Sequence, residues 1–145
     1  MKVVNSRDTM NEIYLDAVRI RHRVFVEGQG VPQSIEIDKY EAYAVHFVLY
    51  DDQNIAQATA RLLPNEEEKT FTMQRTAVLP EVRGLGFGKM LVKEMEKFAI
   101  DRSYKEINLH AQVTAKSFYE QLGYVAFGDE HEIAGMMHVD MKKDF

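Results

Sequence analysis

The 145-residue sequence predicts one mixed α/β (α+β) domain, 1–145, whose central, mostly antiparallel sheet is flanked by helices. Three observations lead to that class. The middle of the chain holds three runs rich in β-formers, separated by turn signals, as in an antiparallel meander. Helical periodicity precedes this meander and returns after it. The final quarter alternates a second amphipathic helix with short strand-like runs.

Lys2–Val4 is a candidate first strand. Thr9-Met-Asn-Glu12 has the form of a capping box, in which hydroxyl and carboxylate satisfy orphan amides reciprocally. Behind it Ile13, Ala17, Ile20 and Val24 recur at helical spacing, and Gly28-Gln-Gly30-Val-Pro32 ends that helix. Residues 33–41 are polar and irregular, with room for a short helix. Tyr43–Tyr50 reads as a strand, Asp51-Asp-Gln-Asn54 as a turn, and Ile55–Leu63 as the antiparallel return. Pro64-Asn-Glu-Glu-Glu68 is a second, solvated turn, and Thr70–Leu79 is a third strand closed by Pro80, which cannot donate to a ladder.

The period then changes. Gly88, Leu91, Val92, Met95, Phe98 and Ala99 line one face of a helix whose other face is charged. Glu106–His110 is a short strand. Ala115, Phe118, Tyr119 and Leu122 form the apolar face of another helix, with Gly123 as its stop. Tyr124–Phe127 and Met136–Met141 are expected to pair as closing strands.

Composition removes several classes of function. The net charge of −5 is spread along the chain and offers no broad basic surface for nucleic acid. With no cysteine, disulfides, thiolate metal sites and cysteine nucleophiles are excluded. No apolar run approaches the ~20 residues of a membrane helix, and MKVVNSRDTMNE lacks the apolar stretch of a signal peptide. A soluble, cytoplasmic protein without membrane or nucleic-acid partners is therefore expected. The histidines show no close HxH or HExxH spacing, so no metal site is expected. The eight methionines read as core filler, with Met136 and Met137 at a closing strand or a homodimer contact.

The most informative stretch runs from Val78 to Leu91, where a strand ends, a glycine-rich loop follows and an amphipathic helix begins. Glycine allows positive φ and close approach of the backbone to an anion, and the first helical amides lack internal partners. Such a loop suits a phosphate group, with Arg83 and Lys89 adding charge at its edges. It is not a P-loop, since no Gly-Lys-Ser/Thr follows at the required spacing. A dinucleotide fingerprint would need a third glycine where Lys89 stands, and the preceding strands form no βαβ unit, which disfavours a nicotinamide-dependent oxidoreductase. A plain glycine turn between strand and helix is the alternative.

Arg83-x-x-Gly86-x-Gly88 resembles the (Gln/Arg)-x-x-Gly-x-(Gly/Ala) signature of GNAT N-acetyltransferases. Ala115-x-x-Phe118-Tyr119-Glu120-x-Leu122-Gly123-Tyr124 resembles that family's downstream helix and turn. Val24-Phe-Val26, Gln29-Gly-Val-Pro32, Glu36-x-Asp38, His46, Ala111-Gln112 and Gly135-x-x-His138-x-x-Met141 are similar to the bacterial ElaA-like branch, so the resemblance spans nearly the whole chain. Two positions depart from it. Gly28 stands where the branch usually has Glu, with Glu27 one residue earlier. Gln74 stands where many members carry a glutamate on the strand entering the glycine loop, as candidate base. A glutamine cannot accept a proton at neutral pH, so that role is moved or left to water.

The resemblance implies a GNAT-type sheet, acetyl-CoA as acyl donor, and direct attack of a small-molecule or peptide amine on the thioester. It implies that Arg83, Gly84, Leu85, Gly86, Phe87, Gly88 and Lys89 cradle the pyrophosphate, that Ala77, Val78 and Leu79 hold the pantetheine arm by main-chain bonds, and that the amide near Val78 receives the oxyanion. Tyr119 is the candidate general acid for the leaving thiolate, against a plain role as a core aromatic; Phe118 is expected as an apolar wall. Glu36, Asp38 and His46 are candidates for an acceptor or base cluster, against solvated or structural roles, and His110, Gln112 and His138 are expected in the same cleft. The competing functional reading is a non-catalytic acyl-CoA binding or sensing module, which keeps the glycine loop without needing Tyr119.

Overall fold

A computed structural model describes residues 1–145. The elements run β1 (Lys2–Ser6), α1 (Glu12–Arg21), a π-helical turn (His22–Glu27), α2 (Gln33–Glu36), β2 (Val45–Tyr50), β3 (Ala56–Asn65), β4 (Thr70–Val78), α3 (Phe87–Asp101), β5 (Glu106–Gln112), α4 (Lys116–Gln121), β6 (Val125–Ile133) and β7 (Met136–Asp144). Single 3₁₀ turns precede α3 and α4. The seven strands form one sheet in the order β1-β2-β3-β4-β5-β7-β6. Every pairing is antiparallel except β4 with β5.

The sheet is covered on both faces. One core lies under α3 and α4, where Phe47, Leu62, Phe71, Leu91, Met95 and Ile107 are buried together. A smaller one lies under α1, built from Ala17, Ile20, Val24, Val48, Tyr50, Ala77 and Leu79. Alternation along β2 feeds both: Val45, Phe47 and Leu49 face the first core, while Val48 and Tyr50 face the second.

The expected elements are present, with three shifts of detail. The cap of α1 is Asn11 rather than Thr9: its Oδ1 accepts from the Tyr14 amide at 3.1 Å. The preceding turn is held by side chains instead, with Asp8 Oδ1 accepting from the Met10 amide at 2.8 Å and Ser6 Oγ accepting from Asn11 Nδ2 at 2.7 Å. The first helix carries its apolar stripe on to Val24 by widening into the π turn, which bonds the Gly28 amide to Arg23 O. The closing strands are longer than expected because β6 and β7 form a hairpin turned by Ala134 and Gly135, both at positive φ.

The parallel β4–β5 ladder positions the site. It runs only from Thr70–Glu106 to Met73–Leu109, after which the strands part. At the parting, Arg75 adopts φ 57°, a left-handed conformation that costs a non-glycine residue about 1–2 kcal/mol. The register with β3 slips there too, from Arg61↔Gln74 to Thr59↔Ala77. This bulge exchanges the faces of β4, so that residues beyond it point opposite to the simple alternation.

Candidate active site

Beyond the last β4–β5 pair the sheet opens into a cleft of about 1020 Å³, lined by residues of both strands, the glycine loop, α4, the π turn and the β6–β7 hairpin. One end of it is shaped by the glycine loop. Gly84 and Gly86 have φ +81° and +86°, which L side chains rarely adopt, and Gly86 caps α3 without any side-chain bond. Met90 is the first amide with a helical partner, Gly86 O at 3.1 Å, so the amides of Phe87, Gly88 and Lys89 are unspent. α3 is 15 residues long, so its positive end adds to this anion-binding character.

Gly88 is glycine for a different reason. A Cβ there would meet the Phe118 ring at 3.2 Å and Val78 Cγ2 at 3.5 Å. Phe87 is buried and anchors the loop in the core. Arg83 Nε donates to Val78 O at 3.0 Å, which bends its side chain back over the end of β4. Arg83, Gly84, Gly86, Phe87, Gly88 and Lys89 line the cleft, while Leu85 points outward, 64% exposed.

Of the three residues expected to hold an extended chain, the geometry separates one. Leu79 donates its amide to Gln57 O at 3.0 Å and does not line the cleft. Backbone groups alternate sides along a strand, so the Val78 N–H points away from β3 and into the opening. The Ala77 side chain is buried under α1, though the residue touches the cleft wall.

Tyr119 and Phe118 both line the cleft from α4, their rings edge-to-face at 5.0 Å. Tyr119 is 6% exposed. Burial pushes its pKa up, with the Thr76 side chain beside it holding the shift back, so the phenol keeps its proton at neutral pH. Gln112 and His138 also line the cleft. Gln112 Nε2 donates to Gln29 Oε1 at 3.1 Å, bridging the end of β5 to the π-turn region, and His138 Nδ1 sits 2.8 Å from Met136 O.

The expected acceptor cluster is arranged otherwise. Asp38 and His46 do not line the cleft, and Glu36 reaches it with its carboxylate already engaged. Three arginines and three acids close into a ring. Arg21 binds Glu36 at 2.9 Å, Glu36 binds Arg75 at 2.9 Å, and Arg75 binds Asp38 at 3.2 Å. Asp38 binds Arg61 at 2.7 Å, Arg61 binds Glu41 at 2.8 Å, and Glu41 returns to Arg21 at 2.7 Å. Arg21, Arg61 and Glu36 are at most 2% exposed. Each charge therefore has two opposite neighbours, which offsets the heavy cost of burying it.

Glu41 is the most heavily bonded member, accepting also from Tyr14 Oη and the Asp38 amide, both at 3.1 Å. Burial alone would raise its pKa, but hydrogen bonds and charge from Arg21, the Asp38 amide and the Arg61 charge carry it down to about 2. His46 is buried, its Nε2 2.8 Å from Glu41 O, and burial lowers its pKa, which keeps the ring neutral. Gln74 Oε1 accepts from Arg61 Nε at 3.0 Å, so the amide at the usual carboxylate position completes the coordination of an arginine.

Sequence reasoning passed over Arg21, Glu41, Arg61 and Arg75. One signal was available: Arg21 stands four residues after Ala17 and three before Val24, on the buried stripe of α1, where a charge needs a partner. It also left Asp140 unremarked. Asp140 Oδ1 lies 2.5 Å from His110 Nδ1 and 3.6 Å from His131 Nε2.

Comparison with known proteins agrees with this geometry. Residues 11–145 match the family described as acetyltransferase (GNAT) domain. The uncharacterized N-acetyltransferase YjcF of Bacillus subtilis (strain 168) is 33% identical over 145 residues, covering 99% of this chain and all of that protein. The crystal structure of a candidate N-acetyltransferase from Lactobacillus plantarum superposes with TM-score 0.90 at 28% identity, covering 99% of this chain and 97% of that one. Escherichia coli ElaA shares the fold, with TM-score 0.85 at 21% identity and 98% of each chain covered. No helix is long and apolar enough to cross a membrane. The sheet that parts after one parallel ladder, the unspent helix N-terminus and the matched family lead to one conclusion: this chain belongs to the GNAT acetyltransferase family and is an acyl-CoA-dependent acyltransferase.

Proposed function

We propose that the protein transfers an acetyl group from acetyl-CoA to the primary amine of an acceptor with an apolar body, by direct attack on the thioester. The observation that carries this reading is the cleft itself, with the unspent amides of a helix end, the inward Val78 N–H and Tyr119 all on its wall. The pyrophosphate binds the amides that open α3, beside Arg83 and Lys89. The pantetheine arm lies along β4 beyond the Arg75 bulge, in the place a next strand would take. The Val78 N–H donates to the thioester oxygen as charge develops on it. Tyr119 protonates the departing thiolate, and Phe118 shields that end from water.

The acceptor class follows from the lining. The charged side chains on the cleft wall are Arg75, Arg83, Lys89 and Glu36, and the single carboxylate is neutralised within the ring. A polycation would find no free negative charge. The acceptor end is instead walled by Val24, Phe25, Val31, Ile35, Ile133 and Met136. These suit the body of an aliphatic or aromatic monoamine.

A thiol-release assay with acetyl-CoA over a panel of apolar monoamines, polyamines, amino sugars and amino acids tests the proposal. The highest kcat/KM is expected with apolar monoamines. Acetyl-CoA binding without thiol release for any amine would favour the non-catalytic acyl-CoA module instead.

A further inference from the structure

We infer that His110, held by Asp140, is the general base that deprotonates the acceptor amine. The inference rests on the acetyl-transfer reading above and supplies the proton acceptor that Gln74 cannot be.

The sheet register places His110 where a base is needed. Thr72 and Asn108 are paired in the parallel ladder, and Thr72 Oγ1 donates to Asn108 Oδ1 at 2.7 Å, so both side chains stand on the same face. That face is opposite to Met73 and Leu109, which are buried in the core under α3. One step along each strand the ladder has ended, and the next residues on the polar face are Gln74 and His110, on opposite lips of the opening. Both line the cleft. On the β4 lip the polar group is a neutral amide spent on Arg61. On the β5 lip it is an imidazole.

The imidazole is oriented by its neighbour. His110 and Asp140 are directly paired in the antiparallel β5–β7 ladder, and Nδ1 lies 2.5 Å from Asp140 Oδ1. Asp140 accepts the Nδ1 proton, which leaves the Nε2 lone pair free. The His110 side chain is about half exposed, so Nε2 is open to the cleft and to water. Other groups on that face are His131 on β6, with its ring 5.9 Å from that of His110, and His138 further along β7. Lys142 on β7 turns to Glu106 at 3.8 Å, and Arg75 across the opening is committed to Glu36 and Asp38. Asp140 is thus the charge in direct contact with the imidazole.

The proton balance closes. The acceptor ammonium gives one proton to His110 Nε2. The neutral amine forms the C–N bond, and the carbonyl π pair moves to the oxygen facing Val78. Collapse breaks the C–S bond, and the thiolate takes the Tyr119 proton. The amide nitrogen releases its extra proton, which restores Tyr119 through solvent, and His110 returns its own to water, one per turnover. Asp140 touches no reacting atom and is a positioning residue.

The test uses the full chain, acetyl-CoA and the best amine of the panel. His110→Gln and His110→Ala are expected to lower kcat/KM about 100-fold or more and to flatten the acidic limb of its pH profile, with acetyl-CoA affinity unchanged. Asp140→Asn removes the carboxylate that orients Nδ1, so kcat falls, though less than in His110→Ala, with acetyl-CoA affinity unchanged. Independently of any acceptor, ¹⁵N NMR of the resting protein should show the neutral His110 ring carrying its proton on Nδ1, with Nε2 unprotonated. A folded His110→Gln enzyme with the wild-type rate and pH profile overturns the inference while leaving acetyl transfer intact. So does a resting Nε2–H tautomer, or turnover that collapses in EDTA and returns with Zn²⁺, which would make the imidazole a ligand. Failure of wild type to bind acetyl-CoA or release thiol would instead defeat the acetyl-transfer reading.

Discussion

Replacing Glu41 by glutamine keeps the size of the side chain and one acceptor oxygen but deletes a charge from the ring of six. The magnitude follows from the depressed carboxyl, which moves from an ordinary 4.5 to about 2 in the folded protein. At about 1.36 kcal/mol for each tenfold change in proton affinity, that displacement is worth about 3 kcal/mol at neutral pH. The figure agrees with the ~3–5 kcal/mol lost when one partner of a buried ion pair is removed. For a chain of this size Tm should fall by about 10 °C. Because the folded carboxyl is depressed, its contribution is complete above about pH 4.5 and is lost as pH falls toward about 2. Urea unfolding of wild type and Glu41→Gln at pH 7, 5 and 3 reads both quantities. The gap should be equal at pH 7 and 5 and much smaller at pH 3. A gap under about 1 kcal/mol at pH 7, or one that does not shrink in acid, would refute the reasoning.

Three further outcomes are expected. Gly86→Val strains the left-handed cap of α3, and Gly88→Val drives a side chain into Phe118 and Val78; calorimetry should show acetyl-CoA affinity reduced at least tenfold in both, and unchanged affinity in the folded variants would remove the loop from cofactor binding. Tyr119→Phe should lower kcat by about 100-fold with little change in acetyl-CoA affinity, and since burial raises the phenol, wild type should lose no activity to its ionisation below about pH 10. Asn11→Ala should cost about 1 kcal/mol by thermal denaturation because it uncaps α1, whereas Thr9→Ala should be near neutral; equal losses would return the cap to Thr9.

The order of strands and helices was legible because periodicity is local, and each run reports its own burial pattern. The glycine loop was legible for the same reason: Gly84 and Gly86 need positive φ where they stand, a requirement confined to consecutive residues. The cap of α1 was misplaced by three atoms' worth of competition, since Asp8, Ser6 and Asn11 bond one another before Thr9 can act. The arginine ring was not legible. Its members lie on α1, α2, the following loop, β3 and β4, and only the fold makes Arg21 a neighbour of Glu41 and Arg61 a neighbour of Asp38. Glu36 and Asp38 were noticed as a motif, but sequence could not tell a carboxylate waiting for a cation from one that already holds two. The His110–Asp140 pair spans thirty residues and depends on the β5–β7 register, which no spacing announces.

The closed ring fixes more than stability. The segment from Gln33 to Glu41 has one turn of helix, and of its larger apolar side chains Ile35 and Tyr40 are substantially exposed and Ile37 only half-buried. A stretch so poorly anchored by packing would ordinarily be ordered only when a ligand arrives, at about 1–2 kcal/mol of backbone entropy for each residue fixed. Here Glu36, Asp38 and Glu41 clamp it to α1 and to the centre of the sheet beforehand. The wall that an acceptor meets is already cast. On the acetyl-transfer reading proposed above, binding energy is not consumed in shaping it, and an amine of the wrong outline would find nothing that yields. Because Arg21, Glu36, Glu41 and Arg61 are buried, salt should screen most of the clamp only weakly.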